Sequence, residues 1–191
     1  MFRIGLGYDI HRFKKGRPLL LGGIVIPHER GLDGHSDADV LLHAVTDALL
    51  GAAGLPDIGS YFPPGKAAIK GIASRAMLAK AMQEIRRKGF RVVNVDSVVI
   101  AESPKIGPYR EAIRRSLAQS LSVSVADVQV KGKTNEGLDA VGKKQAMAAH
   151  AVVLLSKVKI TPRVASMRGI LKGSKISEKK DLHKYWEKKY L

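Results

Sequence analysis

Apolar and polar positions alternate from residue 2 to residue 13 (FRIGLGYDIHRF), the period-two pattern of a strand whose successive side chains point to opposite faces. A second strand is expected over residues 18–26, broken at Gly22 and Gly23 by a bulge or tight bend. From Ser36 to about Ala53 the pattern changes: an Asp/Ser start leads into a body apolar nearly all round (Val40, Leu41, Leu42, Val45, Leu49, Leu50), and Gly51 and Gly54 end it. That is a buried helix. A Gly/Pro-rich loop (PDIGSYFPPGKAAIKG) follows, of a length that in compact domains tends to be functional. A helix from Ser74 to Lys88 stopped by Gly89, a strand from Arg91 to Ala101, a helix from Pro108 to Leu121 and a strand from Val128 to Lys133 come next. Ala146 to Val158 fits helix or strand, and its Val/Leu run favours a core strand. The expected fold is α+β with α/β alternation: a single-domain mixed β-sheet packed against helices over residues 1–159, with a basic C-terminal tail over 160–191.

Composition narrows the function classes. The chain has 191 residues, 45% hydrophobic and 26% charged, as in a soluble globular protein, and no apolar run approaches the ~18 residues of a membrane span. With no cysteine, a metal must be held by His and carboxylate, and thiol chemistry is excluded. The first residues enter a strand pattern without the features of a signal peptide, so a cytoplasmic protein is expected. The net charge of +16 suits an anionic partner. Residues 160–191 carry nine Lys or Arg against three Asp or Glu, while Arg86, Arg87, Lys88, Arg110, Arg114 and Arg115 read as solvated helix faces. Nucleic acid is a competing partner, but five Tyr, four Phe and one Trp leave few stacking platforms.

The candidate chemistry starts at Asp9 and His11, two apart on the first strand and therefore on one face. His43, on the buried helix, needs a hydrogen-bond partner or a metal. Two histidines and a carboxylate form a common three-ligand zinc set with a fourth position open. Against this, an Asp-x-His pair is frequent by chance, and a lone helix histidine is more often a satisfied core residue. Asp39 and Asp47 flank His43 at four-residue spacing, so one of them could fix its ring tautomer. His35, Ser36 and Asp37 sit at the helix start, where free N–H groups favour phosphate, although plain N-capping by Ser36 and Asp37 fits as well.

The blocks RIGLGYDIH, GHSDADVLLHAVTDALLGAAGLPDIG, NVDSVVIAESPK and KGKTNE, in this order from about Arg3 to Lys157, resemble the 2-C-methyl-D-erythritol 2,4-cyclodiphosphate synthase family of the non-mevalonate isoprenoid pathway. The resemblance implies a lyase that converts 4-diphosphocytidyl-2-C-methyl-D-erythritol 2-phosphate to the 2,4-cyclodiphosphate with release of CMP. It also implies a homotrimer with active sites between subunits, one Zn2+ per site, and Mg2+ or Mn2+ with the substrate diphosphate. Asp9, His11 and His43 match the zinc ligands, and Asp9 and His11 also border the substrate. His35 and Thr134 match catalytic positions. His35 and Ser36 would hold the methylerythritol phosphate, and Asp57, Ile58 and Gly59 its hydroxyls. Ala101, Pro104, Lys105 and Ile106 match the cytidine pocket; Thr134, Glu136 and Lys143 match its phosphate end, with Glu136 the ligand of the second metal.

Some positions depart from the family pattern. Pro64, Gly65 and Lys66 stand where an acidic residue is common, Gly137 to Ala140 replace a Lys-Leu-Gly-Phe run, Lys143 replaces a frequent Arg, and residues after about 160 have no counterpart. The alternative chemistry is a metal-dependent phosphohydrolase of a small phosphate ester.

Overall fold

The computed structural model describes residues 1–63 and 71–158. Pro64, Gly65 and Lys66, the boundary expected at 159/160 and the tail over 160–191 lie outside the described residues.

Strand β1 (Phe2–Lys15) is followed by three short strands, β2 (Leu19–Leu21), β3 (Ile24–Ile26) and β4 (Arg30–Leu32). Helices α1 (Val40–Ala52), α2 (Ile58–Tyr61) and α3 (Ser74–Arg87) lead to β5 (Phe90–Ile100), and α4 (Arg110–Leu121), β6 (Val128–Lys133), α5 (Asp139–Gly142) and β7 (Ala146–Lys157) complete the described chain. Five strands form one sheet in the order β4-β1-β7-β5-β6. All pairs are antiparallel except β5–β6, whose parallel pairing needs the crossover that α4 supplies. The mixed sheet packed against helices is as the sequence predicts. The segment Ala146–Lys157, ambiguous by periodicity, is a strand paired on both edges.

One face of the sheet is covered. Val95 and Val99 of β5 and Ala149, Ala151, Val153 and Leu155 of β7 are buried in a core shared with Leu41, Val45 and Leu49 of α1. Contact between α1 and β1 is unusually close, because an added Cβ on Gly5 would lie 1.9 Å from the Ala48 carbonyl oxygen and one on Gly7 1.9 Å from that of Ala44. Only glycine permits backbone to approach backbone at this distance. With Gly5 against Ala48 and Ala52, and Gly7 against Ala44, β1 and α1 run in opposite directions, and the next helix residue, His43, arrives beside Asp9.

Several local expectations change. Residues 18–26 are two strands, with Leu21 paired to Ile24 and Gly22 and Gly23 at φ +61° and +78°, the positive-φ pair of a two-residue hairpin turn. Helix α1 begins at Val40, and its cap is Asp39, whose carboxylate accepts from Leu42 N–H; Ser36 and Asp37 do not cap it. Arg114 is not part of a solvated face. It donates to the carbonyls of Val128 and Val125 and ties α4 to the entry of β6. Lys88 likewise reaches the carbonyls of Ala53 and Gly54 at the end of α1. Among the described residues no helix is long and apolar enough to cross a membrane.

Candidate metal centre

Asp9 and His11 project from β1 toward α1, as their spacing predicts, and meet His43. Asp9 Oδ2 lies 2.9 Å from His11 Nε2 and 2.9 Å from His43 Nδ1, and the two ring nitrogens are 3.1 Å apart. The His43 side chain is 11% exposed, those of His11 and Asp9 19% and 26%, so one side of the triangle is open. Burial pushes the Asp9 carboxyl up, but hydrogen bonds and charge from His11 and His43 outweigh it and hold the group well below the usual carboxylate range.

These donors fit a small divalent ion. Zinc at roughly 2.0–2.2 Å from nitrogen and oxygen ligands sets tetrahedral ligand atoms about 3.3 Å apart, so the observed triangle needs only slight widening. Among the described residues this is the cluster of His and carboxylate groups with metal-ligand geometry. Glu136 is not part of it; its carboxylate accepts from the Thr134 hydroxyl.

The carboxylates beside His43 on α1 do not orient its ring. Asp39 is fully buried and accepts from the N–H groups of Gly22, Gly23 and Leu42. Burial pushes its carboxyl up against the opposing pull of those three donors. Asp47 accepts from Ile58 N–H at 2.7 Å and so fixes the turn carrying Asp57, Ile58 and Gly59; Asp57 caps α2 through Ser60 N–H. Spacing of i, i+4 correctly puts the three side chains on one side of the helix, but it does not say what each will touch. The His43 Nε2 atom instead lies 2.8 Å from Ser74 Oγ and 3.1 Å from Ser36 Oγ. Sequence reasoning missed Ser74, which reads only as the start of α3. It also missed Arg17, whose guanidinium holds the loop carbonyls of Gly34 and Ser36 at 2.8 and 2.5 Å.

His35 is exposed on that loop, and its carbonyl accepts from Gly71 N–H. Ala101, Pro104, Lys105 and Ile106 form a second group beyond the end of β5, with Thr134 and Glu136 beyond the end of β6. Glu102 joins the two stretches by accepting from Asn135 N–H at 2.8 Å, and Gly132 leaves room for Ile106, whose Cβ would be 2.9 Å from an added Cβ. Lys143 is exposed at the end of α5. Strand β7 separates β1 from β5, and among the described residues no hydrogen bond or ion pair joins the triad to this second group.

An α+β protein with an open carboxylate–imidazole triangle, beside a loop of polar groups, defines a class: a candidate metal-dependent enzyme. The particular family follows from comparison. The YgbB family model matches residues 2–156, and the chain belongs to that family. A Chromobacterium violaceum protein named 2-C-methyl-D-erythritol 2,4-cyclodiphosphate synthase is 55% identical over 157 residues, covering 82% of this chain and 99% of that protein. A Synechococcus protein of the same name is 58% identical over 153 residues, 80% of this chain and 98% of its own length. Among solved structures, the bifunctional IspDF of Campylobacter jejuni aligns with a TM-score of 0.80 at 39% identity over 83% of this chain, which spans 43% of that longer protein. A Plasmodium falciparum IspF structure, described as a CDP complex, aligns with a TM-score of 0.73 at 37% identity, covering 83% of this chain and 97% of that one.

Proposed function

We propose that the chain is a 2-C-methyl-D-erythritol 2,4-cyclodiphosphate synthase of the non-mevalonate isoprenoid pathway, a cytoplasmic phosphorus–oxygen lyase. In its substrate, 4-diphosphocytidyl-2-C-methyl-D-erythritol 2-phosphate, an oxygen of the 2-phosphate attacks the β-phosphorus. The bond from that phosphorus to the bridging oxygen breaks, and CMP leaves with the electron pair. No protein nucleophile is needed, so the residues act by position and charge. The observation that carries the reading is the convergence of Asp9, His11 and His43 at 2.9–3.1 Å in a chain that matches the family along residues 2–156.

Asp9, His11 and His43 would hold Zn2+, which when bound supplies positive charge to a phosphate oxygen. His35 and Ser36 would grip the 2-phosphate end, and Asp57 with the backbone of Ile58 and Gly59 would take the hydroxyls. The Ala101–Ile106 turn would receive cytidine, while Lys105, Thr134, Glu136 and Lys143 would face the diphosphate, with Glu136 toward Mg2+ or Mn2+.

A homotrimer with shared sites would explain two features. The triad and the Ala101/Thr134 group are separated within one chain, so each could complete the other's half in a neighbour. The uncovered sheet face also carries Phe2, Ile4, Leu6 and Tyr8, each at least half exposed, and an apolar row of this kind ordinarily marks an interface.

Purified protein with the substrate, Zn2+ and Mg2+ is expected to release CMP and give a cyclic diphosphate seen by phosphorus NMR, and His43→Ala should abolish both. Products carrying oxygen from labelled water would instead establish hydrolysis and overturn the proposal.

A further inference from the structure

Ser74 opens α3, 31 residues from His43 in sequence, and is wholly buried. Its hydroxyl lies between two groups: the Asp37 carboxylate, to which it is hydrogen-bonded, and His43 Nε2 at 2.8 Å. A carboxylate accepts and does not donate, so the single hydroxyl proton of Ser74 belongs to that bond. Toward the imidazole, Ser74 Oγ can then only accept. His43 Nε2 must therefore carry a proton, which leaves Nδ1, the atom facing Asp9 Oδ2 and His11, as the ring nitrogen whose lone pair a metal would take once its hydrogen bond to Asp9 is given up.

We infer that Ser74 and Asp37 form a positioning pair that sets the tautomer of His43 and so prepares its Nδ1 as a metal ligand, an inference that rests on the metal reading of the triad. Ser36 does not suffice for this. Its Oγ accepts from Ala38 N–H at 2.9 Å, but among the described residues its own proton has no other fixed acceptor, so it can face His43 Nε2 as donor or acceptor. Asp37 is itself held: Oδ2 accepts from Ser74 N–H at 3.0 Å, and its N–H donates to the Ile72 carbonyl at 3.2 Å. The carboxylate thus serves the start of α3, where Ala73 provides no side-chain cap, and commits the hydroxyl in the same arrangement. A carboxylate acting through an intermediate group on a ligating histidine is a recurrent way of fixing ring orientation. Here the serine hydroxyl is the intermediate, and it comes from a helix that contributes no ligand.

The test uses the full chain with two readouts. Long-range proton–nitrogen NMR of the metal-free protein should show His43 protonated at Nε2, and this pattern should be lost or mixed in Ser74→Ala and in Asp37→Asn, which keeps the side-chain shape. Competition with a chelator should show zinc affinity falling roughly 10- to 100-fold in both variants, while Ser74→Thr, which restores the hydroxyl, stays within about threefold of the parent. Unchanged tautomer and zinc affinity in a folded Ser74→Ala protein would overturn the inference, even if its melting temperature fell. A parent protein with the Nε2 proton but no zinc affinity would sink the metal reading on its own, because the tautomer is measured without metal.

Discussion

The two faces of β1 use the same strand for opposite ends. Its odd positions, Gly5, Gly7, Asp9 and His11, turn toward α1, where two absent side chains admit the helix and two present ones meet His43. Its even positions, Phe2, Ile4, Leu6, Tyr8 and Ile10, are 43–72% exposed. The inner face is finished within one chain: it is close-packed, and its polar groups have partners. The outer face has apolar bulk and, within the described chain, nothing laid upon it. The metal triad is therefore legible within one chain, whereas the proposed shared substrate site depends on what the outer face meets.

The comparison breaks most severely at the inner face. Gly7→Ala puts a methyl group 1.9 Å from the Ala44 carbonyl oxygen, and because the obstacle is backbone the helix must move, at a cost of about 3 kcal/mol or more. Urea denaturation should show that loss, with zinc binding weakened because His43 is displaced from Asp9. The outer face sharpens the contrast at Leu6, which is 68% exposed. If the proposed trimer forms through this face, Leu6→Glu leaves the circular dichroism of the fold intact while sedimentation velocity shows dissociation to monomer and CMP release is lost. A variant that stays trimeric and active would remove the outer face from the assembly.

The smallest effect concerns Asp47, behind the triad. Burial, with the neighbouring charges of Asp57 and Asp9, raises its carboxyl above the ordinary 3.8. The folded state then holds its proton more tightly than the unfolded one, so this group's contribution to stability declines as pH rises from the ordinary value through the raised one, and is level above it. Asp47→Asn, which can still accept from Ile58 N–H, should remove that decline. Unfolding free energies measured from pH 4 to 7 would show a less negative slope, and an unchanged slope would contradict the shift.

Much of this was legible in sequence because it is periodic. The alternation along residues 2–13 announces both the strand and the shared face of Asp9 and His11, and the apolar body after Val40 announces a buried helix. Non-periodic facts were hidden. Strand β4 is three residues long, too short for any period, and is fixed by pairing with β1. Asp39 and Asp47 share a side of α1 with His43, but their partners, the Gly22–Gly23 turn and Ile58, come from elsewhere in the chain. Ser74 reaches His43 only because α3 packs beside α1, a tertiary fact without local trace. The role of Arg114 was misread for the same reason: an arginine among arginines on a helix looks solvated until the strand it anchors is in place.

Phe2 pairs with Ser156, and Lys157 N–H donates to the Met1 carbonyl at 3.0 Å, so the ends of the described body lie side by side on adjacent strands. Such ends suit circular permutation. A few residues could bridge Met1 to Val158, and a new opening in the Ser122–Ser124 turn between α4 and β6 would leave the triad, the Ser74–Asp37 pair and both faces of β1 undisturbed. Connectivity and architecture are separable here, and cargo could be attached at the permuted ends.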